Sequence, residues 1–151
     1  MCGRLRSRLR SITFLLEHNK KMTVNKLFAW ILLTVHKQPT TLNEVLYTAD
    51  GINHIAPSLN ELQTSFGWLQ SQGLINKVEN KYLLTEAGIK IKQSIPNGTI
   101  FSVWDTLAER LSQFPKIDFQ PDEITEKEVA VANRINKKRF REIMKKLIAE
   151  K

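Results

Sequence analysis

Residues 58–88 read SLNELQTSFGWLQSQGLINKVENKYLLTEAG, and this stretch decides the fold. Ser58 follows Pro57 and has Glu61 three positions on, the pattern of a capping box that satisfies the first free amides of a helix. At about 100° per residue, Leu59, Leu62, Phe66 and Leu69 fall on one face, as in an amphipathic helix laid on a core. Gly73 stands where a helix C-cap needs a left-handed residue. Leu74-Ile75 then open an extended segment, and the polar run Asn76 to Lys81 separates it from a second short strand, Tyr82-Leu83-Leu84, which predicts a hairpin. Thr85-Glu86-Ala87-Gly88 starts another helix through Ile89 and Ile91 to about Ser94, and Pro96-Asn97-Gly98 breaks it.

Upstream, Val24 to Lys37 places Leu27, Ile31 and Val35 in one row with Phe28 and Leu32 beside it, a buried first helix that Pro39 ends. Thr41 and Glu44 make another capping box for a second helix running to about Ala49, where Asp50-Gly51 signals a turn. Downstream, Thr99 to Phe114 presents Ile100, Val103, Trp104, Leu107 and Leu111 to an apolar neighbour. Pro115 and Pro121 bracket a loop. Thr125 and Glu128 form a third capping box, and Val129, Ala132, Ile135, Phe140, Ile143 and Leu147 trace an apolar side along a final helix. Trp68 projects off the core stripe of the third helix, to be covered by a terminal helix or a partner or left exposed. The expected fold is mainly α with a small β-hairpin: a basic arm over 1–21, a domain over 22–95 and a C-terminal helical extension over 96–151.

Three helices followed by a ribbon, with Gly73-Leu74-Ile75 leading into Asn80-Lys81-Tyr82-Leu83-Leu84-Thr85-Glu86-Ala87-Gly88, resemble the winged-helix domains of MarR-like and PadR-like bacterial regulators. About half the chain carries the resemblance. It implies a winged helix-turn-helix plus flanking C-terminal helices, and a dimeric regulator with its third helix in the major groove of double-stranded DNA and its wing on the flanking backbone. The expected DNA-binding residues are Ser58, Asn60, Gln63, Thr64 and Ser71 on the third helix, with Lys77 and Lys81 on the wing. Winged helices also serve as protein-interaction modules, so an alternative is a module that does not touch DNA.

Charge divides these readings. The net +8 resolves into +5 over residues 1–21, +1 over 22–95 and +2 over 96–151. Ser58 to Gly73 contains no Lys or Arg, although phosphate neutralisation carries much of DNA affinity and Arg to guanine is the commonest base contact. Asn and Gln can still read adenine edges. The missing cations have to come from Lys77 and Lys81, from the arm with Arg4, Arg6, Arg8 and Arg10, or from Lys137, Lys138, Arg141 and Lys145. That last cluster reads as a solvated face or as a phosphate-contacting one. The arm reads as a presequence or as an extension ahead of a natural start at Met22.

The terminal helices can pair into a homodimer or fold back on the same chain, and Asn136 can set register in a paired helix or sit at its edge. Cys2 is the single cysteine, which excludes an internal disulfide and Cys-based zinc sites. The longest apolar stretch, Leu27 to Val35, is far short of the roughly 18–20 residues a bilayer span requires. A cytoplasmic protein with no membrane partner is expected. His18, His36 and His54 stand singly, no glycine-rich phosphate loop occurs, and Asp118, Asp122 and Glu123 read as loose surface acids. No enzyme, no metal and no cofactor are expected.

Overall fold

The structure, a computed structural model, describes residues 22–150. The arm over 1–21, with Cys2 and His18, and Lys151 lie outside the described residues. Among the described residues, six helices and one hairpin follow in the order α1 (Val24–Thr34), α2 (Leu42–Asn53), α3 (Leu59–Ser71), β1 (Ile75–Val78), β2 (Lys81–Leu84), α4 (Glu86–Gln93), α5 (Ile100–Leu111) and α6 (Glu126–Ala149). The chain is thus mainly helical with a small antiparallel hairpin.

Helix starts follow directly from the sequence. Thr23, Thr41, Ser58, Thr85, Thr99 and Thr125 each hold an extended backbone, and each hydroxyl accepts the amide N–H three residues on. Such a cap is worth about 1 kcal/mol. The three capping boxes at Thr41, Ser58 and Thr125 are complete.

Two elements extend beyond their expected limits. Asp50-Gly51 does not turn, and α2 continues to Asn53 because Ile52 packs against the core. His54 then caps it in the left-handed region at φ 59°. The polar run after Ile75 is mostly strand and not loop: Ile75 pairs with Leu84 and Val78 with Lys81. Only Glu79 and Asn80 turn, with φ of 50° and 63°, the paired left-handed residues of a tight hairpin turn whose twist matches the strands.

Helix α1 is the central rod. Leu27 through Leu32 are all buried, because α2, α3 and α5 surround it. Trp30 Nε1 donates to the Ala49 carbonyl at 3.0 Å, and Trp104 Nε1 donates to the Lys26 carbonyl at 2.7 Å. Each indole therefore buries its ring without stranding its N–H. Trp104, Leu107 and Leu111 of α5 join the same core as α1, so the chain from Thr99 to Leu111 is part of the body and not an appendage.

The hairpin is tied in on both sides. Thr40 and Tyr82 exchange backbone hydrogen bonds at 2.6 and 2.9 Å, which adds the α1–α2 connection to the edge of β2. Gly73, at φ 71°, ends α3 so that Leu74 N donates to Leu69 O. A helix therefore passes directly into a two-stranded ribbon between Ser58 and Leu84.

Beyond α5 the chain crosses back over α3 as an irregular strap, residues 115–125, before α6 begins. The first half of α6 rests on α2, with Ala132 buried and Asn136 Nδ2 donating to the Asn43 carbonyl at 2.9 Å. Asn136 thus fastens α6 to its own chain. No helix among the described residues is long and apolar enough to cross a membrane.

Candidate functional site

The polar side of α3, expected to be open, is covered along its middle. Proceeding along α3, Gln63 Nε2 donates to Ile124 O (2.8 Å), the Gln63 carbonyl accepts from Asp122 N (2.8 Å), Gln70 Nε2 donates to Asp122 Oδ1 (2.8 Å), and Gln72 Nε2 donates to Pro115 O (2.9 Å). The strap therefore runs antiparallel to the helix. Between these contacts lies Gly67, where a Cβ would strike the Gln120 carbonyl oxygen and approach Pro121 Cα to 2.9 Å. Only glycine allows the two backbones so close. Thr64 is 4% exposed.

Asp122 is the clasp of this covering. Its side chain is 4% exposed, and it accepts hydrogen bonds from Gln70, from Lys77 Nζ (3.0 Å), from Tyr82 Oη (2.8 Å) and from Ile124 N (3.3 Å). One carboxylate thereby joins strap, α3 and ribbon. Asp122 is not the loose surface acid that its place directly after Pro121, beside Glu123, suggests. Beneath it, the Tyr82 ring stacks on Phe66 with centroids 3.8 Å apart. The Tyr82 hydroxyl is held far above the usual phenol range, by burial first and then by the Asp122 charge, the hydrogen bond to it and the more distant Glu128.

The seven expected DNA-binding residues fare differently. Asn60, Ser71 and Lys81 are exposed. Ser58 is consumed as an N-cap, and the Ser71 hydroxyl donates back to Trp68 O. Gln63 and Lys77 are bound to the strap, and Thr64 is buried. The expectation of one continuous polar surface over Asn60, Gln63, Thr64 and Ser71 is corrected: a backbone strap lies on the middle of it. The sequence signal was Gly67, a glycine at the centre of a well-capped helix, which costs about 1 kcal/mol relative to Ala and marks a close backbone approach.

Trp68 is covered as well, stacked on Phe28 of α1 at 4.4 Å and met by Phe114 at 6.0 Å. Between the ribbon and α6 a cleft of about 320 Å³ is lined by Leu42, Tyr82, Ile124, Val131 and Ile135, with Lys77 as a cation already paired to Asp122. Its walls offer no nucleophile with a base beside it. Among the described residues no group of three or more His, Cys, Asp or Glu side chains could hold a metal ion.

What remains open is α6. From Lys137 to Glu150 every residue is exposed, including Phe140 (62%), Leu147 (53%) and Ile148 (69%). The segment Arg134 to Lys146 carries seven basic residues and one acid, Glu142. No protein-family model, no curated protein and no solved structure matches the chain.

Proposed function

We propose that this protein is a winged-helix interaction module that binds another protein through α6 and does not read DNA through α3. One contrast carries the reading. The helix that would enter a major groove is crossed along its middle by Gln120–Ile124 and bears no cation, whereas α6 stands in solvent with a row of large apolar side chains. Isolated exposed apolar residues are ordinary, but a contiguous row on one helix marks an interaction site. A cytoplasmic location belongs to the same reading.

A second reading, a DNA-binding transcriptional regulator, draws support from Arg134, Lys138, Arg141 and Lys145, which share the side of α6 opposite that row, with Lys137 at its edge, all exposed. Such a stripe meets phosphates without reading bases.

The two separate in a titration of the full chain with duplex DNA of mixed sequence at low salt. The interaction module shows at most weak, sequence-blind binding that Asn60→Ala and Gln63→Ala leave unchanged. Sequence-selective binding with a steep salt dependence, relaxed by either substitution, overturns it.

A further inference from the structure

The exposed row on α6 continues a face that is already in use. At about 100° per residue, Phe140, Ile143 and Leu147 lie in line with Val129, Ala132 and Asn136, the residues by which the helix meets the body. The occupant of the row therefore lies along α6 in the corner where the helix leaves α2. The edges of the row carry a cationic excess: Arg139 and Lys146, seven residues apart, border one side together with Glu150, and Lys137 borders the other with Arg141 beyond it. Glu142 stands outside the row beside Arg139 and Lys146, three and four residues from them.

Resting on the reading of α6 as the interaction element, we infer that this row seats an acidic amphipathic helix of another protein. The partner's apolar ridge covers Phe140, Ile143 and Leu147, and carboxylates on both shoulders of that ridge meet Arg139, Lys146 and Lys137. A slender helix about 10 Å across fits a corner. A flat bilayer does not, because the row faces the side on which the body stands. A second copy of this chain brings the same excess of cations, seven against Glu142 and Glu150 over residues 134–150, so self-pairing sets like charges together on balance. Nucleic acid would neutralise the cations and leave the apolar row in water.

The test uses the full chain and synthetic heptad-repeat peptides: one with Leu on its ridge and Glu on its shoulders, one with Lys on its shoulders, and one with Glu shoulders and a Ser ridge. Fluorescence anisotropy at physiological salt should show binding of the Leu/Glu peptide alone. Phe140→Ala with Leu147→Ala should weaken it about a hundredfold, and Arg139→Glu with Lys146→Glu should move the preference to the Lys peptide by about tenfold. All four positions are exposed or at the helix surface, and an unchanged circular dichroism spectrum confirms folding. Equal binding of the Glu and Lys peptides, or of the Ser-ridge peptide, overturns the inference. So does a dimer in sedimentation that Phe140→Ala dissolves, or flotation with phosphatidylserine vesicles that the same change abolishes; those two outcomes leave α6 as the interaction element with a different occupant. Indifference of every arm to the Phe140 and Leu147 changes overturns the underlying reading as well.

Discussion

Replacing Asp122 by Ala should unfasten the strap and cost about 3 kcal/mol of stability. The carboxylate receives one ammonium, one phenol and one amide besides its own neighbouring N–H, at 3.0, 2.8, 2.8 and 3.3 Å. A hydrogen bond to a charged group is worth about 1.5–3 kcal/mol, but these share one acceptor and do not add. The governing quantity is the penalty for leaving Lys77 and Tyr82 without their partner in a nearly dry site, about 3–5 kcal/mol for a broken buried pair. Lys77 retains 24% side-chain exposure, so water reclaims part of its charge and the expectation falls to the lower end of that range. Asp122→Asn keeps an acceptor for Tyr82 and loses the ion pair, for about 1–2 kcal/mol. Urea unfolding followed by circular dichroism measures both, and a cycle with Tyr82→Phe should show a coupling of about 1 kcal/mol or more. The loss should be local in origin. Exchange of the Asp122 amide, which donates to Gln63 O, should accelerate while amides within α1 keep their protection. A cost below about 1 kcal/mol for Asp122→Ala, or no coupling to Tyr82, refutes the clasp.

Gly67→Ala should destabilise by about 1–3 kcal/mol in thermal melts, although Ala favours an exposed helix by about 1 kcal/mol, because its methyl collides with the strap backbone. Tyr82, whose proton burial retains, contributes stability that is full below pH about 10, where the unfolded chain also holds its proton, and is lost as pH rises beyond that. Tyr82→Phe should flatten this alkaline loss in urea midpoints. Lys92 has the opposite sign: burial lowers its affinity for a proton, so stability is regained as pH climbs towards about 10.4, and Lys92→Met should steepen the alkaline loss. Ser65, fully buried with its hydroxyl unpartnered, should gain about 1 kcal/mol as Ser65→Ala.

Local chemistry was legible in the sequence wherever a short range decided it. The capping boxes at Thr41, Ser58 and Thr125 needed only a hydroxyl and a carboxylate three residues apart, and the core row Leu62, Phe66 and Leu69 only a period. Glu79-Asn80 was obscured because a Glu at positive φ is uncommon, so the ribbon looked shorter than it is. The sealed face of α3 was harder to read. Gln63 and Gln70 are equally suited to base edges and to carbonyls of a passing strap, and the strap lies more than 50 residues downstream of them. Asp122, directly after Pro121, looked solvent-facing for the same reason: its partners Lys77 and Tyr82 are remote in sequence.

The distribution of charge follows from that burial. A helix meant for phosphates gains from Lys or Arg on its outward side, whereas a helix covered by a backbone strap suffers from them, since an unpaired buried cation is costly. Between Ser58 and Gly73 the chain offers Gln63, Gln70 and Gln72 to the strap and no cation, the composition of an internal contact. The single charge pair there, Asp122 with Lys77, comes from strap and ribbon and not from α3. Opening the strap therefore frees one cation and a helix that carries none, its one charged side chain being Glu61. Asp122→Ala should accordingly bind mixed-sequence duplex at low salt no more than about tenfold tighter than the parent chain, with a salt slope steeper by about one. A far larger gain, sensitive to Asn60 and Gln63, would instead make the strap a cover over a working recognition helix.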